Sequence, residues 1–243
     1  MIHFLYEYIK SLKLFFKDRL NKYNITLSYG IAVLIALFMV VAGINLFIEL
    51  TETLATDMLA NYDHRFTQYV ISHRSAALTK YFIAITHVGD VYGYIAVLLI
   101  VFLVSLLVFK SWKYVVQIIV VLMLSAVSNL MLKRFIDRAR PDLEHMVSVE
   151  TLSYPSGHAM SAMAFYGFLI YLFYKFSIPT LAKYSIITFL FLLILSIGIS
   201  RIYLGVHFPS DIAGGFIAGA IWVVFCALLF NLIDLFRKEL NKQ

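Results

Sequence analysis

The stretch "LSYPSGHAMSA", Leu152 to Ala162, sets Pro155, Ser156, Gly157 and His158 at the mouth of an apolar run. Proline, serine and glycine in that order start a helix, and a helix start leaves backbone N–H groups exposed at the positive end of its dipole. Two linked matters follow: what surrounds this helix, and what its polar N-terminus faces.

The surroundings are read from composition. The chain has 243 residues, of which 62% are hydrophobic and 14% charged, with a mean hydropathy of +0.86. Soluble domains are roughly half apolar and a quarter charged, so this is an integral membrane protein in contact with membrane lipids. Cys226 is the only cysteine and lies in an apolar segment, which excludes an intrachain disulfide and a bridged ectodomain. The net charge of +6 comes from basic residues spread along the ends of hydrophobic segments, not from one basic patch. That distribution suits membrane orientation and excludes nucleic acid as the partner. Nothing in the sequence calls for an obligate protein partner.

Six segments are apolar enough to be transmembrane helices: Leu27–Leu50, Val91–Phe109, Tyr114–Leu132, Ala159–Tyr174, Tyr184–Ser200 and Ile212–Ile233. The fourth and fifth are short, so their helices are expected to extend into flanking polar residues. The fold class is therefore all-α, a polytopic helical bundle forming a single domain over residues 1–243. Residues 1–24 carry Leu5, Ile9, Leu12, Phe16 and Leu20 at helical spacing with lysines between, the pattern of an amphipathic interfacial helix. The first apolar segment is too long for a signal-peptide core and reads as an uncleaved span. Residues 51–90 form a longer connection of mixed pattern, expected to hold short amphipathic helices at the outer surface.

With both termini in the cytosol, twelve of the twenty Lys and Arg residues fall on the inner side. Most of the remaining eight belong to one polar cluster, and the positive-inside rule then favours this orientation in the cytoplasmic membrane. Parity of the crossings puts "KRFIDRARP" (Lys133–Pro141), "PSGH" and "SRIYLGVHFPSD" (Ser200–Asp211) on one face, the extracytoplasmic one.

Lys133, Arg140 and Arg201 bring three cations to that face, close to hydrocarbon, where charge is costly and usually functional. Guanidinium forks match phosphate oxygens, and lysine adds a point charge. Ser156 and the Gly157 backbone, at a helix N-terminus, extend the cradle. His207 and Asp211 are four residues apart; the carboxylate can hold one ring nitrogen protonated and leave the other as a nucleophile. His158 can then protonate the leaving oxygen. A metal ion or other cofactor is unnecessary for this chemistry. Arg134, Asp137, Arg138 and Asp142 read as solvated or headgroup contacts, and His87, Asp90 and His145 as surface residues, the first two near an entrance. Gly215 and Gly219, in "GGFIAGA", form a small-residue face that reads as packing within the bundle.

These residues resemble the signature of the type 2 phosphatidic acid phosphatase (PAP2) family, the membrane branch of a superfamily that includes vanadium haloperoxidases. The pattern Lys-x6-Arg-Pro, Pro-Ser-Gly-His and Ser-Arg-x5-His-x3-Asp is met at all eleven positions, from Lys133 to Asp211. "THVGD" (Thr86–Asp90) and "SRIYLGVHFPSDIAGG" look most like its bacterial phosphatidylglycerophosphate and undecaprenyl pyrophosphate phosphatase branch. The resemblance implies a PAP2/haloperoxidase-like bundle that dephosphorylates a lipid phosphate without metal. It implies His207 as the residue that becomes phosphohistidine, Asp211 as its orienting carboxylate and His158 as acid and later base. Lys133, Arg140, Arg201, Ser156 and Gly157 would hold the phosphoryl oxygens. Two other readings use the same residues: a phosphotransferase with a second acceptor, and an anion transporter, which no inverted repeat supports.

Overall fold

The computed structural model describes residues 27–147 and 152–240; the amphipathic segment expected at 1–24 lies outside them. In chain order the described residues form α1 (Leu27–Thr53), α2 (Asp57–Ser72), α3 (Ala76–Val88), α4 (Val91–Val104), α5 (Lys113–Ile136), α6 (Gly157–Lys175), α7 (Thr180–Tyr203) and α8 (Pro209–Leu240). A π-helical turn, Ser105–Phe109, continues α4. All regular structure among the described residues is helical.

The helix begun by PSGH is the centre of the bundle. Ser156 takes an extended backbone conformation and its hydroxyl accepts from Ala159 N–H, so it is the N-cap of α6. α6 packs on α5, α7 and α8, and Ala159, Ala162, Ala164, Phe165 and Phe168 are fully buried. A helix enclosed by other helices needs small residues for close approach and aromatic residues to fill gaps. α1, by contrast, rests on α8 and turns Leu34 and Phe38 outward at 67% and 72% exposure. That is the composition of a helix facing lipid.

Each of the six apolar segments lies within a helix or, for 91–109, within α4 and its π turn. α6 and α7 extend beyond their strict apolar limits at both ends, as expected. By length and apolarity, however, only α1, α5, α7 and α8 qualify as spans, with α3 and α4 a fifth if their 60° bend is counted as one broken span. α6 misses that measure because its environment is protein and its sequence carries Gly157, His158, serine and tyrosine.

The connection 51–90 differs in part from the surface helices expected there. α2 is amphipathic, but α3 packs on α7 and leads straight into α4. The bend at Gly89–Asp90 is tight: a Cβ on Gly93 would lie 2.5 Å from the His87 carbonyl oxygen. The bend points Asp90 at α6.

Gly215 and Gly219 seat α8 on α6. A Cβ at Gly215 would come within 2.7 Å of Ser156 O, and one at Gly219 within 2.5 Å of Met160 O. Both neighbours are backbone, which cannot move aside cheaply. Gly219→Val is therefore expected to destabilise the bundle by about 1–3 kcal/mol, the usual cost of overpacking. Leu34→Val on the outward face of α1 should leave stability nearly unchanged. Melting temperatures in detergent check the contrast, and an unaffected Gly219→Val would refute the packing role.

Candidate active site

Three segments meet at one end of the bundle. The first is the end of α5 and the loop after it. α5 stops at Asp137, whose left-handed backbone (φ 43°) lets its N–H bond Lys133 O. The second is the PSGH turn, and the third is the short link between α7 and α8. In that link Gly205 takes φ +79°, and a Cβ there would meet Glu144 O at 2.8 Å. Glycine is therefore required both by conformation and by space. Met146 N–H donates to Leu204 O at 3.1 Å and Val206 N–H to Arg201 O at 3.1 Å, so the link that carries His207 is fastened on both sides.

His207 is 2% exposed and Asp211 fully buried. Nδ1 of His207 lies 3.2 Å from Asp211 Oδ2, and Nε2 lies 3.2 Å from Arg140 Nη1. Nδ1–H donates to the carboxylate and keeps its proton, which leaves the Nε2 lone pair facing a guanidinium. Asp211 Oδ2 also accepts from the Ser153 hydroxyl and from Phe208 N–H at 2.8 Å.

Lys133 and Arg140 converge on the Leu152 carbonyl, at 2.5 Å and 3.5 Å, and Arg140 also donates to Val206 O at 2.6 Å. Arg201 is 4% exposed; its Nη1 donates to Thr86 Oγ1 at 2.7 Å, while its Nε is buried with no hydrogen bond among the described residues. His158 Nε2 stands 3.0 Å from Asp90 Oδ1, a contact that is an ion pair only when the imidazole is protonated, and the geometry there is not that of an aligned hydrogen bond. Ser156 is already engaged: its N–H donates to Asp211 O at 3.0 Å and its hydroxyl caps α6 at Ala159 N–H, 3.5 Å away. Gly157 begins α6 against Asn129, whose Oδ1 would lie 3.0 Å from an added Cβ.

The structure thus joins His207, Asp211 and Arg140 directly, brings Lys133 to the Leu152 carbonyl that Arg140 also meets, and bonds Ser156 to the backbone of Asp211. His158 and Arg201 are held by other contacts, with Asp90 in the bend and with Thr86 on α3. Four contributors outside the sequence signature emerge. Asp90 is half-buried against His158, not a plain surface residue. Thr86 is buried and holds Arg201. Ser153 bonds Asp211. Arg138, read from sequence as a solvated or headgroup contact, is enclosed between two buried carboxylates, Asp211 and Asp63. Thr86 and Asp90 fall in "THVGD", which the sequence offered only as a likeness to one branch of the family and not as a site; spacing held no signal for Asp63.

Burial, reinforced by the nearby charges of Arg140 and Arg201, holds the His207 imidazole down at about 3 against the opposing pull of Asp211. Burial likewise lowers the Arg140 guanidinium. A neutral imidazole with one nitrogen fixed by a carboxylate and the other turned toward cations is equipped for nucleophilic attack on an anionic centre.

Residues 112–233 match the PAP2 superfamily, and the chain belongs to it. Phosphatidylglycerophosphatase B of Bacillus subtilis is 28% identical over 198 residues, covering 81% of this chain and 93% of the relative. The crystal structure of a transmembrane PAP2-type phosphatidylglycerolphosphate phosphatase from Bacillus subtilis matches with a TM-score of 0.74 at 27% identity, over 81% of this chain and 98% of that one. Lipid A 1-phosphatase of Rhizobium johnstonii is 30% identical over 142 residues, about half of each chain (51% and 53%). The protein is a membrane phosphatase of this superfamily.

The buried imidazole has a consequence for acid stability. Folded His207 stays neutral down to about 3, whereas an unfolded histidine titrates at 6.5. Between those values the unfolded chain binds more protons, so this contribution is complete above 6.5 and is lost as pH falls. His207→Gln is expected to lose less melting temperature than wild type between about pH 7 and about pH 4. Parallel losses in detergent melting curves would show that His207 does not carry the effect.

Proposed function

We propose that this protein hydrolyses a phosphomonoester or pyrophosphate on a membrane lipid, without a metal ion, through a phosphohistidine at His207. The observation that carries the reading is the set of His207 itself, with Nδ1 on Asp211 and Nε2 3.2 Å from Arg140. An anion placed among Arg140, Lys133 and Arg201 would bring phosphorus up to that lone pair.

Attack by Nε2 forms the N–P bond and breaks the bond to the lipid oxygen, which takes a proton from His158. Water then attacks the phosphohistidine, His158 recovers the proton, and inorganic phosphate leaves with His207 regenerated. Lys133, Arg140 and Arg201, with Ser156 and the Gly157 N–H, stabilise the charge on the phosphoryl oxygens, a part that a metal ion plays in other phosphatases. Arg201 Nε, buried with no hydrogen bond among the described residues, is a donor suited to such an oxygen.

The protein crosses the cytoplasmic membrane six times, α6 being the span that packing frees from strong apolarity. Both termini are cytosolic, the site opens on the extracytoplasmic face, and the lipid tail stays in the bilayer. Substrate candidates are phosphatidylglycerophosphate, phosphatidic acid, diacylglycerol pyrophosphate, undecaprenyl pyrophosphate and a lipid A phosphate; the names of the relatives support the first and last.

Purified protein in detergent with EDTA is expected to release phosphate from at least one of these lipids with no added acceptor. His207→Ala should fall to background, and His158→Ala should lose about 10²–10⁴-fold, the usual worth of general acid catalysis. A radiolabelled substrate phosphate should leave an acid-labile label on wild type and none on His207→Ala. The pH dependence of kcat/KM should be bell-shaped, since one histidine acts neutral and the other protonated. Wild-type turnover by His207→Ala would overturn the reading.

A further inference from the structure

Asp63 lies on α2, in the connection between the first two apolar segments, yet it is 2% exposed. Its Oδ1 accepts from Ser210 N–H at 2.9 Å, and its Oδ2 accepts from the Ser210 hydroxyl at 2.5 Å and from Arg138 Nη2 at 2.8 Å. Ser210 is in the first turn of α8. A side chain from α2 thus supplies the carboxylate that caps the helix carrying Asp211.

Arg138 completes the connection. Its other terminal nitrogen, Nη1, donates to Asp211 Oδ1 at 2.6 Å and to Ser210 Oγ at 2.7 Å. The guanidinium carbon lies over the Phe208 ring, 4.7 Å from its centroid. Oδ1 of Asp211 is therefore held by Arg138, while Oδ2 faces His207 Nδ1. Rotation about the bond to the carboxyl group would move both oxygens together, so a bond that fixes Oδ1 also fixes Oδ2.

Burying two carboxylates around one guanidinium is costly unless the geometry is good and the remaining lone pairs are used. Here they are: each carboxylate accepts from Arg138 and from additional N–H or O–H donors. Merely fastening α2 to the bundle would not require a charge chain that ends on the carboxylate of the nucleophile. An apolar contact would do so at lower desolvation cost.

We propose that Asp63 and Arg138 are positioning residues for His207, acting through Asp211: Asp63 fixes the guanidinium and the start of α8, and Arg138 fixes Asp211 Oδ1. This rests on the reading of His207 as the nucleophile. The connection 51–90 then becomes part of the catalytic apparatus.

The test compares Asp63→Asn, Arg138→Ala and His207→Ala as full-length proteins in detergent. Each is assayed for phosphate release from the best wild-type lipid and for the rate of phosphohistidine labelling. Folded fraction is taken from gel filtration and melting. Partners that orient the ligands of a metal site are typically worth about 10–100-fold in activity, and the same order is expected for partners that orient a nucleophile. Asp63→Asn and Arg138→Ala are expected to lose about that much in kcat and in labelling rate per folded molecule, with KM changed by less than about threefold. Added methylguanidinium should restore part of the activity of Arg138→Ala and none to His207→Ala, an effect that a purely structural role does not produce. Full kcat per folded molecule in both variants, beside an inactive His207→Ala, would overturn the proposal and leave the function standing. So would a loss that follows folded fraction alone and resists methylguanidinium. An active His207→Ala would overturn both.

Discussion

The buried carboxylate of Asp211 is the constraint on which the active end of the bundle depends. In a low-dielectric interior a charged carboxylate persists only with its lone pairs occupied. Its partners come from separate segments: Arg138 from the loop after α5, Ser153 from the approach to α6, and Phe208 N–H and His207 from the link into α8. The backbone carbonyl of Asp211 takes the N–H of Ser156 as well. One residue therefore sets the relative positions of the three sequence blocks that bear the chemistry, and its demand for partners is what draws them together.

Around that centre the cations are placed differently from Arg138. Lys133 and Arg140 donate to the carbonyls of Leu152 and Val206, and Arg201 donates to the hydroxyl of Thr86. The Thr86 hydroxyl is a neutral dipole, which holds the Arg201 cation in place without cancelling its charge. Arg138 is paired with two carboxylates, so its charge is spent within the protein. The contrast separates Arg201, suited to receive an anion, from Arg138, suited to hold the frame. The backbone makes the same distinction possible, because Gly215 and Gly219 let α8 lie close enough on α6 for Asp211 to reach Ser156 N–H.

Much of the chemistry is legible without coordinates. Lys133, Arg140, His158, Arg201, His207 and Asp211 carry residue types and spacings that point to phosphate, and the pairing of His207 with Asp211 follows from a four-residue separation at a helix start. The apolar segments are legible for a related reason: hydrocarbon imposes length and composition on any helix it surrounds. The exception is α6, where the surroundings are other helices and the constraint is close packing, which small residues, tyrosine and a polar first turn all satisfy.

Asp63, Arg138, Asp90 and Thr86 were not legible in that way, because each works through a contact across the fold: Asp63 reaches Ser210 over 147 residues and Thr86 reaches Arg201 over 115. A lone carboxylate in an amphipathic surface helix has no periodicity that marks its target. The sequence by itself determined the membrane environment and the helical class and pointed to the candidate reacting groups, since these follow from local composition and spacing. Only the tertiary structure decided which polar side chains outside those blocks contact the candidate site residues, because that depends on which distant segments a buried charge recruits as partners.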